Sequence, residues 1–285
     1  MTADLPRQAE CVTDPATVLA HAVAAADAAA RFIRTRAGEL SSLQWQVKAR
    51  ADFVSDVDTG AEQLIRETLL ARCPGARILG EELSPDVGAG TTASGTLFVV
   101  DPLDGTTNFL HGYPEYAVSI AAFVDGAPVA GVVENVATGE RFTAARGLGA
   151  FRDGAPITVS SIADPARALV GTGIPFKTPE QLGAYLPQLE AVSRATAGVR
   201  RAGSAALDLC DVACGRFDAF WELTLSPWDF AAGTLIIREA GGVVTTIDGT
   251  DLPIARSSVV AGNPAMHRWL LDAISVSSLP SAREP

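Results

Sequence analysis

Apolar positions recur at helical spacing twice near the start of the chain. Val18, Ala22, Ala25, Ala29 and Phe32 share one face behind Asp14-Pro15, which reads as an N-cap followed by a first-turn proline. Gly38 marks the end of this helix. A second helix is predicted from about Thr59 to Arg72, with Ala61, Leu64, Ile65, Thr68 and Leu69 as its buried stripe and Pro74-Gly75 after it. The pattern then shortens. Arg77 to Gly80 reads as a strand delivering Glu81 and Glu82, residues 84–96 as a surface loop, and Leu97-Phe98-Val99-Val100 as a strand buried on both faces that ends in Asp101.

From Tyr116 to Ile157 apolar runs alternate with the turn pairs Asp125-Gly126, Thr138-Gly139 and Asp153-Gly154, the pattern of an antiparallel meander. A second section starts at residues 169–173. It carries helices near 178–197, 204–214, 229–240 and 264–276, with strands near 217–223 and 243–247. These elements predict a mixed α+β and α/β architecture. A tail over residues 1–14 precedes an antiparallel α+β half (15–160) and an α/β half (161–285). No Pro/Ser-rich linker separates the halves, so one rigid unit is expected.

Charge narrows the partners. Lys and Arg number 22 against 33 Asp and Glu, a net charge of −11 over 285 residues. A field of that sign disfavours DNA, RNA and anionic membranes. A small anionic substrate remains open, because bound cations reverse the local sign. With 48% hydrophobic and 19% charged residues the chain can bury a large core. No 18-residue apolar run and no signal-peptide pattern stands out. The four cysteines (Cys11, Cys73, Cys210, Cys214) are scattered, which argues against a disulfide framework and fits a reducing cytoplasm. Cys210 and Cys214, four apart on a predicted helix, read as packing residues.

Three segments place carboxylates at the ends of apolar elements: Gly80-Glu81-Glu82, Asp101-Pro102-Leu103-Asp104-Gly105-Thr106, and Trp228-Asp229-Phe230. Pro102 is expected to force a turn that lets Asp101 and Asp104 converge, with the Leu103 carbonyl between them. Gly105 admits a close backbone approach, and Thr106 starts a helix whose free amides suit an anion. Hard oxygen donors of this kind favour Mg²⁺, Mn²⁺ or Ca²⁺, and no His or Cys falls in the segments to favour zinc. Each segment alone has an ordinary explanation: a strand end and turn, a surface Glu pair, an N-capping Asp. Their joint occurrence is what points to a site. A calcium loop over Asp56, Asp58 and Glu67 is rejected, since Ala61 stands where that loop needs Gly. Asp58 reads instead as a helix cap that also faces the site.

At these residues the sequence resembles the inositol monophosphatase family of Mg²⁺-dependent, lithium-sensitive sugar phosphatases, in particular its bacterial SuhB-type branch, over about residues 15–275. The motifs are Gly80-Glu81-Glu82, Asp101 to Phe109, and Trp228 to Gly233 running on to Glu239-Ala240-Gly241-Gly242. Lys48 to Asp58 and Arg201 to Asp208 are also similar. The resemblance implies a layered αβαβα sandwich, usually a homodimer. It implies Glu81, Asp101, the Leu103 carbonyl, Asp104 and Asp229 as metal ligands, and Gly105 and Thr106 as phosphate contacts. Asp58 would pair with Thr106 to orient the attacking water, and Gly203, Ser204, Ala205 and Glu222 would line the alcohol pocket. Asp104 and Asp229 would also touch substrate. Ser55 stands where the family commonly has Thr, and the hydroxyl is kept.

The reaction so implied is hydrolysis of a phosphate monoester by in-line attack of water, oriented by Thr106 and Glu81, with two Mg²⁺. Four carboxylates and a substrate dianion carry roughly −6, and two Mg²⁺ return roughly +4, so a third, weakly held Mg²⁺ near Glu81 is expected. Mn²⁺ is a possible substitute. The favoured substrate is myo-inositol phosphate, a small phosphorylated alcohol. The alternatives are histidinol phosphate, fructose 1,6-bisphosphate or a nucleotide 3′-phosphate, or a regulatory binding protein with incidental activity.

Overall fold

A computed structural model of the chain describes residues 13–38, 45–49, 52–84 and 94–276. Most of the expected N-terminal tail and of the 84–96 loop lies outside them. In chain order the elements are α1 (Pro15–Ala37), β1 (Trp45–Ala49), β2 (Asp52–Ser55), α2 (Asp56–Arg72), β3 (Arg77–Gly80), β4 (Thr96–Asp104), α3 (Thr106–Leu110), β5 (Ala117–Val124) and β6 (Ala127–Asn135). There follow β7 (Arg141–Ala145), β8 (Gly149–Arg152), β9 (Ala155–Pro156), β10 (Leu169–Thr172), α4 (Leu182–Ala195), β11 (Gly198–Arg200) and α5 (Ala205–Ala213). The chain continues through β12 (Ala219–Leu225), α6 (Pro227–Glu239), β13 (Val243–Thr245), β14 (Ser257–Gly262) and α7 (Pro264–Val276).

Two sheets organise the molecule. One has seven strands in the order β3-β4-β5-β6-β7-β8-β9; the other has five, β11-β10-β12-β14-β13. Strand period two sends alternate side chains to opposite faces. In β4, Phe98 and Val100 join the core under α1 and α2, whereas Leu97 and Val99 join the core around α5 and α6. In β12, Phe220 faces α5 and α6, while Ala219 and Trp221 face α4 and α7. The layers are therefore α1/α2, seven-stranded sheet, α5/α6, five-stranded sheet and α4/α7, the expected αβαβα sandwich. The inner helices α5 and α6 are apolar almost all round because both faces are covered.

Asp14 caps α1 by accepting from the Thr17 amide at 3.0 Å. Among the described residues α1 is the helix long and apolar enough to cross a membrane, yet Val18, Ala22, Ala25, Ala26, Ala29, Ala30 and Ile33 are all fully buried against α2 and the sheet. It is a core helix.

Several expectations need correction. α2 starts at Asp56, not Thr59, so Asp58 lies inside its first turn rather than capping it. Pro102 makes no turn: β4 runs on to Asp104 through a register shift. The second sheet is mixed, with β10 parallel to β11 and β12, and β14 antiparallel to β12 and β13. Strands β11 and β14 were not anticipated. Helix α4 starts at Leu182 after a short 3₁₀ turn at Pro179–Gln181. Cys73 is disulfide-bonded, while Cys210 and Cys214 are free. Spacing alone cannot pair scattered cysteines, and a single bond is not a disulfide framework. Cys210 is buried in the inner core, as packing predicts.

Candidate active site

The site forms where the seven-stranded sheet meets the N-termini of the inner helices. Asp101 opposes Ser119 and Asp104 opposes Ala117, so three steps along β4 match two along β5. Strict alternation would send Asp104 to the outer face. The inserted residue of this bulge returns it to the inner face beside Asp101. Ser119 also donates to the Trp228 carbonyl at 3.1 Å, which ties the first turn of α6 to the strand beside Asp101. Asp229 thus meets the pair. Asp101, Asp104 and Asp229 each offer a carboxylate oxygen, and these oxygens lie within 4.8 Å of one another.

Each carboxylate is aimed by one of its own oxygens. Asp101 Oδ1 accepts the Leu103 amide at 2.9 Å. Asp104 Oδ2 accepts the Ser204 hydroxyl at 2.6 Å and the Ala206 amide at 2.8 Å. Asp229 Oδ2 accepts the Ser226 amide at 2.7 Å, at the third residue of α6 rather than as its cap. Among the described residues these are the hydrogen bonds that the three carboxyl groups accept. Burial, then the charges of Glu81, Asp104 and Asp229, holds the Asp101 carboxyl well above the usual carboxylate range. Burial, then Asp104 and Glu81, does the same to Asp229. Asp104 is raised by burial and partly restored by its bonds to Ser204 and Ala206. Acids crowded in this way favour a bound cation.

Glu81 lines the same cleft but is not one of the three grouped carboxylates. It follows Gly80, which pairs with Val100 across the parallel β3/β4 ladder, one residue short of Asp101. Gly105 sits at φ 91°, and a Cβ there would fall 2.9 Å from the Glu115 carbonyl. Only glycine permits that approach. Thr106 Oγ1 lies 2.9 Å from Asp58 Oδ1, to which it donates, and 3.1 Å from the Leu103 carbonyl. Ser204 caps α5, and its hydroxyl is committed to Asp104.

The cleft encloses about 290 Å³ and also reaches Gly203, Ala205 and Glu222. Burial pushes Glu222 up to about 8, against the pull of Arg201 and Lys177. Lys177, Arg201, Arg256 and Asp208 also line the cleft; the sequence reading passes over Lys177 and Arg256, takes Arg201 for part of a solvated basic corner, and gives Asp208 no role of its own. Lys177 and Arg256 belong to no recognisable motif, whereas Arg201 and Asp208 bound the family-like stretch Arg201–Asp208. Asp208 does carry a signal, standing four residues after Ser204 on α5, and its buried Oδ1 has no partner.

Comparisons with known proteins agree with this geometry. The Inositol monophosphatase family matches residues 14–278. An inositol-1-monophosphatase of Rhizobium meliloti is 45% identical over 237 residues, covering 83% of this chain and 88% of that protein. A Nus factor SuhB of Pseudomonas aeruginosa is 42% identical over 264 residues, covering 92% and 97%. The crystal structure of the suhB protein of Bartonella henselae superposes with a TM-score of 0.83 at 41% identity, covering 90% of this chain and 98% of that one. A five-layered sandwich with an acidic cleft at its centre, matched along nearly its whole length, defines a phosphoric monoester hydrolase. The chain belongs to the inositol monophosphatase family.

Proposed function

We propose that the protein hydrolyses the phosphate ester of a small polyol, with myo-inositol 1-phosphate the preferred substrate and Mg²⁺ the working ion. The observation that carries this reading is the trio Asp101, Asp104 and Asp229, each anchored by a protein donor and each offering a carboxylate oxygen within 4.8 Å of the others. The donor set is all oxygen and suits a hard divalent cation. Glu81, Asp101, the Leu103 carbonyl, Asp104 and Asp229 would hold it. When bound, such ions would offset the carboxylate charge and stabilise charge developing on the phosphoryl group.

The chain's own groups supply the rest. Gly105 and Thr106 would contact phosphate. Thr106 donates its proton to Asp58, which leaves a hydroxyl lone pair to accept from the attacking water and direct it in line. Glu81, which lines the same cleft, would orient the same water. Glu222, held protonated near neutral pH by burial, can donate to an alcohol oxygen. Gly203, Ser204 and Ala205 shape the wall beside it. In this division residues 15–160 supply most of the ligands, and residues 161–285 supply Asp229 and the alcohol pocket. A cytoplasmic homodimer completes the proposal.

The test is phosphate release with and without Mg²⁺ from myo-inositol 1-phosphate, histidinol phosphate, fructose 1,6-bisphosphate and a nucleotide 3′-phosphate, compared by kcat/KM. The highest value is expected for the inositol ester. A higher value for histidinol phosphate would replace the substrate but keep the chemistry. A second role as a partner-binding protein draws support from the Pseudomonas aeruginosa relative's name. Capture of the same lysate proteins by wild type and by an inactive Asp229→Asn variant would favour it.

A further inference from the structure

Helix α2 presents Asp58, Glu62 and Arg66 at i, i+4 and i+8, on one face. All three bond to segments that build the site, Glu62 to their backbone and the other two to side-chain hydroxyls. Asp58 holds Thr106, as described. Arg66 Nη1 donates to Ser84 Oγ at 3.0 Å. Glu62 lies between them and is fully buried. Its carboxylate accepts two successive amides, Glu82 N at 2.7 Å and Leu83 N at 3.1 Å. These belong to the turn directly after Glu81. The turn is closed by Gly80 N donating to the Ser84 carbonyl at 3.1 Å. A Cβ at Gly80 would fall 2.2 Å from Glu62 Oε1, so the carboxylate lies flat against the residue that precedes Glu81.

A buried carboxylate is a costly way to fill space. The packing of α2 does not require one, since Ala61, Ile65 and Leu69 already supply its core stripe. What the carboxylate does supply is a two-point, charge-assisted grip on a short turn. We propose that Glu62 is a positioning residue: it fixes the turn after β3, aims the Glu81 carboxyl into the cleft, and so sets how tightly the site holds a divalent cation. This rests on the reading of Glu81 as a metal ligand. Groups that orient ligands without touching the ion commonly change metal affinity 10- to 100-fold when removed.

The experiment is calorimetric titration of Mg²⁺ alone into the full chain, for wild type, Glu62→Gln and Glu81→Gln, with thermal melts and steady-state kinetics alongside. Gln keeps the volume but turns an amide N–H toward one of the two donors. The dissociation constant for Mg²⁺ is expected to rise about 10-fold in Glu62→Gln, with kcat lowered and KM at saturating Mg²⁺ within about twofold. Glu81→Gln should show at least as large a rise. A purely structural role would lower Tm and leave the Mg²⁺ affinity of the folded protein unchanged. Normal affinity in Glu62→Gln beside weakened affinity in Glu81→Gln overturns the positioning role alone. Normal affinity in Glu81→Gln overturns the ligand reading and this proposal with it. Amide exchange in wild type needs no variant: the Glu82 and Leu83 amides should be protected, and exchange at the rate of an open turn contradicts the grip.

Discussion

Two acidic clusters in this protein are built around equally buried carboxylates and are oppositely treated. Glu134 on β6 and Asp101 on β4 are each 1% exposed. Around Glu134 the chain supplies its own cations. Arg34 of α1 reaches Oε1 at 2.5 Å, and Arg141 of β7 reaches Oε2 at 2.6 Å and also binds Asp27. Around Asp101 the neighbours are Asp104, Asp229 and Glu81, and although Lys177 pulls on Asp104 and Asp229, and Arg201 on Asp104, burial and mutual repulsion still hold these acids above the usual carboxylate range. Leaving buried acids uncompensated is destabilising unless something else supplies the charge. The first cluster holds helix α1 to the sheet; the second is arranged for a cation from solution.

The largest effect expected is on the second cluster. Asp229→Asn should lower kcat at least ~10³-fold, the scale of removing preorganised charge from a reacting centre. The metal-free variant should melt no lower than wild type, because a repelling charge is gone. Next comes Thr106→Ala, which should cost about 10²-fold in kcat with little change in KM, read by steady-state kinetics. Glu134→Gln is the mirror experiment. It should cost about 2 kcal/mol of stability, since its arginines are partly solvated, while kcat/KM stays within about twofold. If Asp229→Asn proves strongly destabilising and Glu134→Gln inactivating, the contrast is drawn the wrong way round.

The last effect is a pH slope, which leaves activity of the loaded enzyme aside. Burial raises Glu222 from the ordinary 4.5 to about 8. Between those values the native state binds a proton that the unfolded chain has released. The metal-free protein should therefore lose stability as pH rises across that window. Glu222→Gln should flatten the slope in a series of melts, and an unchanged slope would remove Glu222 from the account.

Much of this was legible along the chain because it is local. The run Leu97–Val100 could only be a strand covered on both faces, and the Asp-Gly and Thr-Gly pairs fixed the β5–β9 meander. The motifs around Asp101-Asp104 and Asp229 contain the three carboxylates that the fold brings together. What stayed hidden depends on distant partners. Strand β14 is a strand because β12 and β13 flank it, and its Ser257-Ser258 start carries no strand signal. The bulge after Asp101 is defined by β5, so Pro102 read as a turn. Glu62 looked like any helix carboxylate, because the amides that claim it lie 20 and 21 residues away. Lys177 and Arg201 reach the cleft through loops whose course is set by the second sheet.

The central claim is that the oxygens of Asp101, Asp104 and Asp229 gather to hold divalent metal against a phosphate. Crystals soaked in Mn²⁺ and inorganic phosphate, with data collected at the manganese edge, address it directly. Anomalous density enclosed by those three carboxylates, with phosphate beside Gly105 and Thr106, is the predicted result. The same carboxylates turned apart with no ion between them would contradict it.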